Sequence, residues 1–134
     1  MERDQLITLL KKNEAFGAAP ADAIDNLVDS GEIRSIEAGT ALLHQGATGE
    51  SIWMLLSGTL EVLVNEQIVR TIDTSGEVFG EISAVSLTPA TATVQTADDC
   101  LTFCIPHGEL HRVINTSPDL AAAMLRSMAK YLGH

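Results

Sequence analysis

The sequence predicts a mainly β domain, an antiparallel eight-stranded β-roll of the jelly-roll or double-stranded β-helix type, with helices at both ends. Short runs rich in Ile, Leu and Val, separated by turn residues, fill 32–106, a pattern typical of an antiparallel barrel or sandwich. Apolar residues recur at helical spacing before and after this region. With 134 residues, of which 46% are hydrophobic, the chain can form one domain with its own core. We expect N-terminal helices over 1–31, the β-roll over 32–106 and C-terminal helices over 107–134.

Two apolar stripes predict the N-terminal helices. Leu6 and Leu10 belong to the first stripe, and Gly17 interrupts it. Pro20 suits the first turn of a second helix, because its missing N–H group has no partner there in any case. Gly31 ends this second helix.

Seven of the eight expected strands correspond to the runs IRSI, ALLHQ, SIWMLL, TLEVLV, QIVRTI, TATVQTA and CLTFCI. The segment VNEQI between two of these runs predicts a tight hairpin, in which Asn65 takes a left-handed conformation. Cys100 and Cys104 lie in one short apolar run, too close along one strand for an easy disulfide. We expect both to be buried, reduced thiols.

The C-terminal helices are predicted from HGELHRVI and from the segment that follows it. Ser117 is a suitable N-cap, and Pro118 suits the first turn. The apolar stripe of this last helix comprises Leu120, Met124, Leu125, Met128 and Leu132. We expect the face formed by Met124, Met128 and Tyr131 to serve as core and as an interface for a partner helix, rather than as a cofactor site.

Charge and hydropathy exclude several classes of partner. The formal net charge is −10, which argues against direct binding to nucleic acid or to an anionic membrane, since both require a basic surface. No apolar run approaches the roughly 18 residues that span a bilayer, and the N-terminus has no signal-peptide pattern. We therefore expect a cytoplasmic protein without membrane insertion.

The stretch FGEISAVSLTPATATV, residues 79–94, carries the clearest chemical pattern. A glycine followed by a short helix start presents unpaired backbone N–H groups, which favour an anion. Glu81 beside them cannot bind phosphate, but its carboxylate can accept hydrogen bonds from a sugar hydroxyl. A phosphate next to a sugar is what a nucleotide offers.

This stretch resembles the phosphate-binding cassette of cyclic nucleotide-binding domains, which occur in catabolite-activator-like regulators, protein kinase A regulatory subunits and cyclic nucleotide-gated channels. The pattern of that family is Phe-Gly-Glu, then small and apolar residues, then Pro-Arg-x-Ala before a strand. Matching residues here are Phe79, Gly80, Glu81, Pro89, Ala92 and Val94. Further matches in order are Ala38-Gly39-Thr40, the run from Gly49 to Leu60, Cys100-Leu101, and Ser117-Pro118-Asp119-Leu120.

The resemblance implies a regulatory module that binds cAMP or cGMP and acts on an effector outside this chain. The implied ligand-binding residues are Phe79, Gly80, Glu81, Ile82, Ser83, Ala90, Thr91 and Ala92. Ala90 stands where the family has its arginine, the charge partner of the cyclic phosphate. Ligand binding that is weak or altered is therefore one expectation. The alternative is a domain that no longer binds nucleotide and acts in protein interaction or in homodimerisation through its helices.

Other chemistries find little support in the sequence. His107 and His111 are four residues apart, which can place two imidazoles on one helix face, but a third metal ligand is not evident. Motifs of hydrolases, zinc proteases and P-loop proteins are absent from the sequence. We therefore expect no catalytic residue, no metal site and no cofactor, and hence a protein that is not an enzyme.

Overall fold

The computed structural model describes residues 2–17, 19–48, 51–80 and 89–132, and it confirms the predicted β-roll with helices at both ends. The described helices are α1 (Arg3–Lys12), α2 (Glu14–Gly17), α3 (Ala21–Ser30), α4 (His107–Thr116) and α5 (Pro118–Leu132). The described strands are β1 (Glu32–Ile36), β2 (Ala41–Leu43), β3 (Ser51–Ser57), β4 (Leu60–Val64), β5 (Gln67–Ile72), β6 (Val78–Phe79), β7 (Thr93–Thr96) and β8 (Cys100–Pro106).

The eight described strands form two four-stranded antiparallel sheets. The first sheet has the order β1-β8-β3-β6, and the second has the order β2-β7-β4-β5. Neighbouring strands of one sheet are distant in sequence in most cases, because the chain passes back and forth between the sheets. This connectivity produces the roll. As a result, β6 lies in the first sheet and β7 lies in the second.

The hairpin between β4 and β5 has the predicted geometry. Asn65 and Glu66 both adopt positive φ, 52° and 69°, as a two-residue hairpin turn of type I′ requires. Val64 and Gln67 pair across the base of this turn. The turn chemistry of Asn65 thus sets the register of β5 against β4.

Two apolar cores hold the roll and its helices together. The helices pack against the outer face of the first sheet, where Leu27, Phe103 and Leu110 are buried among residues from both layers. A second core fills the interior of the roll and comprises Leu43, Trp53, Leu55, Leu60, Ile72, Phe79, Val94, Cys100 and Cys104. Because alternate residues of β3 and β8 point to opposite faces, the first sheet contributes to both cores.

Both cysteines are buried free thiols, as predicted. Cys100 and Cys104 lie four residues apart on β8 and point to the same side, into the core inside the roll. In the described part of the chain, no helix has both the length and the apolar character needed to cross a bilayer.

Several local predictions differ from the structure. Pro20 is the N-cap of α3 rather than a first-turn residue. Strand β2 ends at Leu43, whereas the predicted run ALLHQ extends to Gln45. The short helix α2 was not predicted, because four residues are too few to show a helical period. Leu125 was assigned to the apolar stripe of the last helix, but it is 64% exposed. Leu120 and Met124 of that stripe are buried, as is Ala123, whereas Met128, Tyr131 and Leu132 lie outside the side chains that the structure describes.

Candidate functional site

The entry to the cassette is fixed by Phe79 and Gly80. Phe79 is buried at the end of β6, where it pairs with Trp53 of β3. Their rings stack with centroids 6.4 Å apart and an interplanar angle of 7°, within the range of favourable aromatic pairs. Gly80 follows with φ +82°, and a Cβ placed there would lie 3.1 Å from the carbonyl oxygen of Ser51. Both the conformation and the close approach therefore favour glycine.

The exit from the cassette is held by backbone hydrogen bonds at Ala90. The N–H of Ala90 donates to the carbonyl of Ala47 at 2.8 Å, and the N–H of Gly46 donates to the carbonyl of Ala90 at 2.8 Å. One residue earlier, Pro89 forms a bridge with Thr48. These contacts set the position of Ala90 before the chain enters β7 at Thr93.

Both ends of the cassette therefore contact the connection between β2 and β3. We call Leu43, Gln45, Gly46, Ala47, Thr48 and Ser51 the β2–β3 wall. A Cβ on Gly80 would also lie 3.5 Å from Leu43, so the entry contacts this wall as the exit does. The wall was not among the predicted site residues.

The predicted ligand-binding residues are placed in part. Phe79 and Gly80 lie at the entry, and Ala90, Thr91 and Ala92 lie at the exit, where Thr91 is exposed and the two alanines are half-buried. Glu81, Ile82 and Ser83 fall outside the described residues, as does the predicted helical turn in EISAVS. Their roles remain predictions from the sequence.

The interior of the roll is covered unevenly along β4. Leu60 is fully buried opposite Thr96, which is also buried. Val62 and Val64, on the same face and nearer the exit of the cassette, are only half-buried. The apolar surface of the roll thus becomes more accessible toward the end where the cassette leaves and re-enters it.

Arg34 places a cation on the face of the first sheet that carries Trp53. Its guanidinium carbon is 5.9 Å from the centroid of the Trp53 ring, a cation–π distance. Its Nε donates to the Glu32 carboxylate at 2.6 Å, and this hydrogen bond raises the pKa of Arg34. Arg34 is therefore already paired with an acid and an aromatic ring.

The two buried cysteines are poor nucleophiles. Burial raises the pKa of the Cys104 thiol, while a hydrogen bond with the Ser51 side chain and the charge of Arg34 act in the opposite direction. Burial also raises the pKa of Cys100. Because the thiolate is the reactive species, both side chains remain in the unreactive form at neutral pH.

His107 and His111 lie one turn apart on α4, as their spacing predicted. Their rings contact edge to face, with centroids 6.2 Å apart. Within the described ranges, no group of three or more His, Cys, Asp or Glu side chains is arranged to hold a metal ion.

The architecture defines a class of protein, a β-roll with flanking helices whose sixth and seventh strands are joined by a cassette anchored at both ends. The model of the cyclic nucleotide-binding domain matches residues 33–117. The chain belongs to the cyclic nucleotide-binding domain family.

Similar proteins include an effector and a protein kinase. The Pycsar effector protein BcPycTIR of Burkholderia cepacia is 28% identical over 107 residues, which cover 79% of this chain and 35% of the effector. The cGMP-dependent protein kinase of Eimeria tenella is 34% identical over 97 residues, which cover 72% of this chain and 9% of the kinase. The chain thus spans only a minor part of these relatives.

A solved structure supports the fold. The regulatory domain of Toxoplasma gondii PKA, crystallised with cAMP, superimposes with a TM-score of 0.75 at 22% identity. The match covers 84% of this chain and 46% of the PKA domain.

Proposed function

We propose that the chain is a non-catalytic regulatory module that binds a cyclic nucleotide, cAMP or cGMP, with reduced affinity. The cyclic phosphate would lie against the backbone N–H groups of Ile82 and Ser83, and the ribose would bond to Glu81. The base would contact the half-buried apolar surface around Val62. The names of the relatives, which include a cGMP-dependent kinase and cAMP-dependent regulatory subunits, support this class of ligand.

The observation that carries the proposal is the anchoring of both ends of the cassette. Gly80 keeps the left-handed conformation and the close contact with Ser51 at the entry, and Ala90 keeps two backbone hydrogen bonds with the β2–β3 wall at the exit. The anchoring of both ends supports a phosphate position between them, although the arginine of the family is replaced by Ala90.

The reduced affinity follows from Ala90. An arginine forms a bidentate, charge-assisted contact with phosphate, and a methyl group cannot replace it. The loss of a hydrogen bond to a charged group costs about 1.5–3 kcal/mol, or roughly 10- to 150-fold in affinity. The formal net charge of −10 opposes an anionic ligand further.

Ligand occupancy would be transmitted by a population shift between two conformations. The ligand would favour the state in which α5 covers the base, and an effector outside this chain would respond to that state. The effector is either another protein or a further segment of a longer chain. The second option agrees with the relatives, because this chain covers only a part of their length.

Isothermal titration calorimetry of the wild-type chain with cAMP and cGMP tests the proposal. We expect saturable binding of at least one of them, and no binding of linear 5′-AMP, which lacks the cyclic phosphate. The absence of heat with both cyclic nucleotides up to millimolar concentration would overturn the proposal.

A second candidate function is a protein-interaction or dimerisation module. The exposure of Leu125, 64% on α5, favours it together with Ala90. In this case sedimentation velocity would show a dimer that Leu125→Gln dissociates. Arg126→Gln, at the neighbouring exposed position, is the matched control and would leave the dimer intact.

A further inference from the structure

The side chain of Gln45 forms a two-point contact with the tip of the β4–β5 hairpin. Its Oε1 accepts a hydrogen bond from the Asn65 N–H at 2.8 Å, and its Nε2 donates to the Asn65 Oδ1 at 3.1 Å. We call these two hydrogen bonds the Gln45–Asn65 fork. The two residues lie in separate loops, so the fork joins two connections that the β ladders do not join.

The backbone of the same glutamine is tied to the exit of the cassette. The N–H of Gln45 donates to the Thr93 Oγ1 at 3.0 Å. The two residues that follow it, Gly46 and Ala47, each form one backbone hydrogen bond with Ala90. Gln45 therefore connects the hairpin tip to the loop that holds Ala90, the residue at the position of the family's arginine.

Asn65 is suited to the fork by its conformation as well as by its side chain. Its φ of 52° belongs to the hairpin turn, in which the N–H of the first turn residue is not used by the strand ladder. The fork occupies this N–H and the side-chain amide together, which fixes the turn against the loop that holds Ala90.

We propose that Gln45 is a positioning residue, which holds the backbone of Ala90 in place and connects the cassette exit to the hairpin tip. Through this connection, occupancy of the phosphate position would alter the environment of Asn65. The second statement rests on the proposed function, whereas the first concerns the ligand-free chain alone.

Amide hydrogen exchange measured by NMR on the ligand-free chain tests the positioning role. Gln45→Met keeps the length of the side chain but removes both hydrogen bonds of the fork. We expect exchange at the Ala90 N–H to become roughly two- to tenfold faster, the effect of losing a neutral hydrogen bond or two. Gln67→Met, beside the same hairpin but outside the fork, is the matched control and should leave Ala90 unchanged.

A second variant separates the fork from the hairpin turn. Asn65→Gly preserves the positive φ and the N–H donor but removes Oδ1, so exchange at Ala90 should rise by less than in Gln45→Met. Unchanged exchange at Ala90 in Gln45→Met would overturn the proposal, as would an equal effect in the Gln67→Met control.

The nucleotide arm of the experiment distinguishes this inference from the proposed function. Addition of cAMP or cGMP to the wild type should shift the Asn65 amide resonance, and Gln45→Met should abolish this shift while the shift at Gly80 persists. A wild type that shows no response to either nucleotide contradicts the proposed function, and the exchange at Ala90 still decides the positioning role. A shift at Asn65 that survives in Gln45→Met would contradict the connection.

Discussion

The ring of Phe79 stacks on the ring of Trp53 at a centroid distance of 6.4 Å, directly before the chain enters the cassette. Phe79 is 7% exposed and Trp53 is 8% exposed, so the pair is part of the core inside the roll. The stacked pair at the end of β6 therefore supports Gly80, the residue that follows it.

Truncation of Phe79 is expected to destabilise the domain and to change the emission of Trp53, the single tryptophan of the chain. Phe79→Ala should lower the free energy of unfolding by about 3–5 kcal/mol, the usual cost of a buried phenylalanine. Urea unfolding followed by tryptophan fluorescence measures both effects. Val69→Ala, at a position that is 61% exposed, should stay within about 0.5 kcal/mol of the wild type. Equal effects of the two substitutions would show that Phe79 is not a core residue.

A comparison of two glycines separates backbone conformation from close contact at the cassette entry. Gly39 and Gly80 share φ +82°, but a Cβ on Gly39 would meet no atom within 4 Å, whereas one on Gly80 would approach the Ser51 carbonyl. Gly39→Ala should cost about 1–2 kcal/mol of stability from the left-handed conformation alone. Gly80→Ala should cost more, because a backbone carbonyl must move, and chemical denaturation of both variants measures the difference. A smaller cost for Gly80→Ala would contradict the packing of the entry on Ser51.

The buried thiols predict a loss of stability at alkaline pH. Since burial raises the pKa values of Cys100 and Cys104 above those of the unfolded chain, the unfolded state releases its thiol protons first as the pH rises. The contribution of the thiols is complete below the ordinary thiol pKa of about 8.5, and it decreases as the pH rises toward the raised values of the folded state.

The double variant Cys100→Ala/Cys104→Ala isolates this effect from other groups that titrate at alkaline pH. Its free energy of unfolding should decline less steeply above about pH 8.5 than that of the wild type. Urea unfolding at a series of pH values measures both slopes, and parallel slopes would exclude the thiols as the cause.

Restoration of the arginine at the cassette exit should increase nucleotide affinity. Because Ala90 is held by its backbone to Ala47 and Gly46, a substituted side chain should project from the position that the family uses. Ala90→Arg should tighten cAMP or cGMP binding by at least about tenfold, and by up to about 150-fold. Calorimetric titration measures the gain, and Ala90→Gln, which is polar but neutral, is the control. An equal affinity of the two variants would show that the exit does not direct residue 90 toward the phosphate.

Features set by local chemistry could be predicted from the sequence. The hairpin at Asn65 was predicted because few residues tolerate positive φ, and the turn type then determines the register of its strands. The β-roll followed from short apolar runs between turn residues. The helix that starts at Pro118 likewise followed from residue types that favour the first turn.

Features set by tertiary contacts could not be predicted in the same way. The β2–β3 wall was missed because the hydrogen bonds of Ala90 join two loops that are distant in sequence, and no periodicity records such a contact. Leu125 was assigned to the apolar stripe because its residue type and spacing fit a helical period, whereas its exposure depends on what packs against α5. The four-residue helix α2 packs against α1 and against α5, and a single sequence does not display such contacts.

The most direct test of the proposed function is a titration of the isotopically labelled wild-type chain with cAMP and with cGMP, followed by NMR of the backbone amides. We predict that the resonances of Gly80, Ile82 and Ser83 shift progressively and saturate with at least one cyclic nucleotide. Unchanged resonances at these three residues up to millimolar nucleotide would contradict a phosphate site in the cassette.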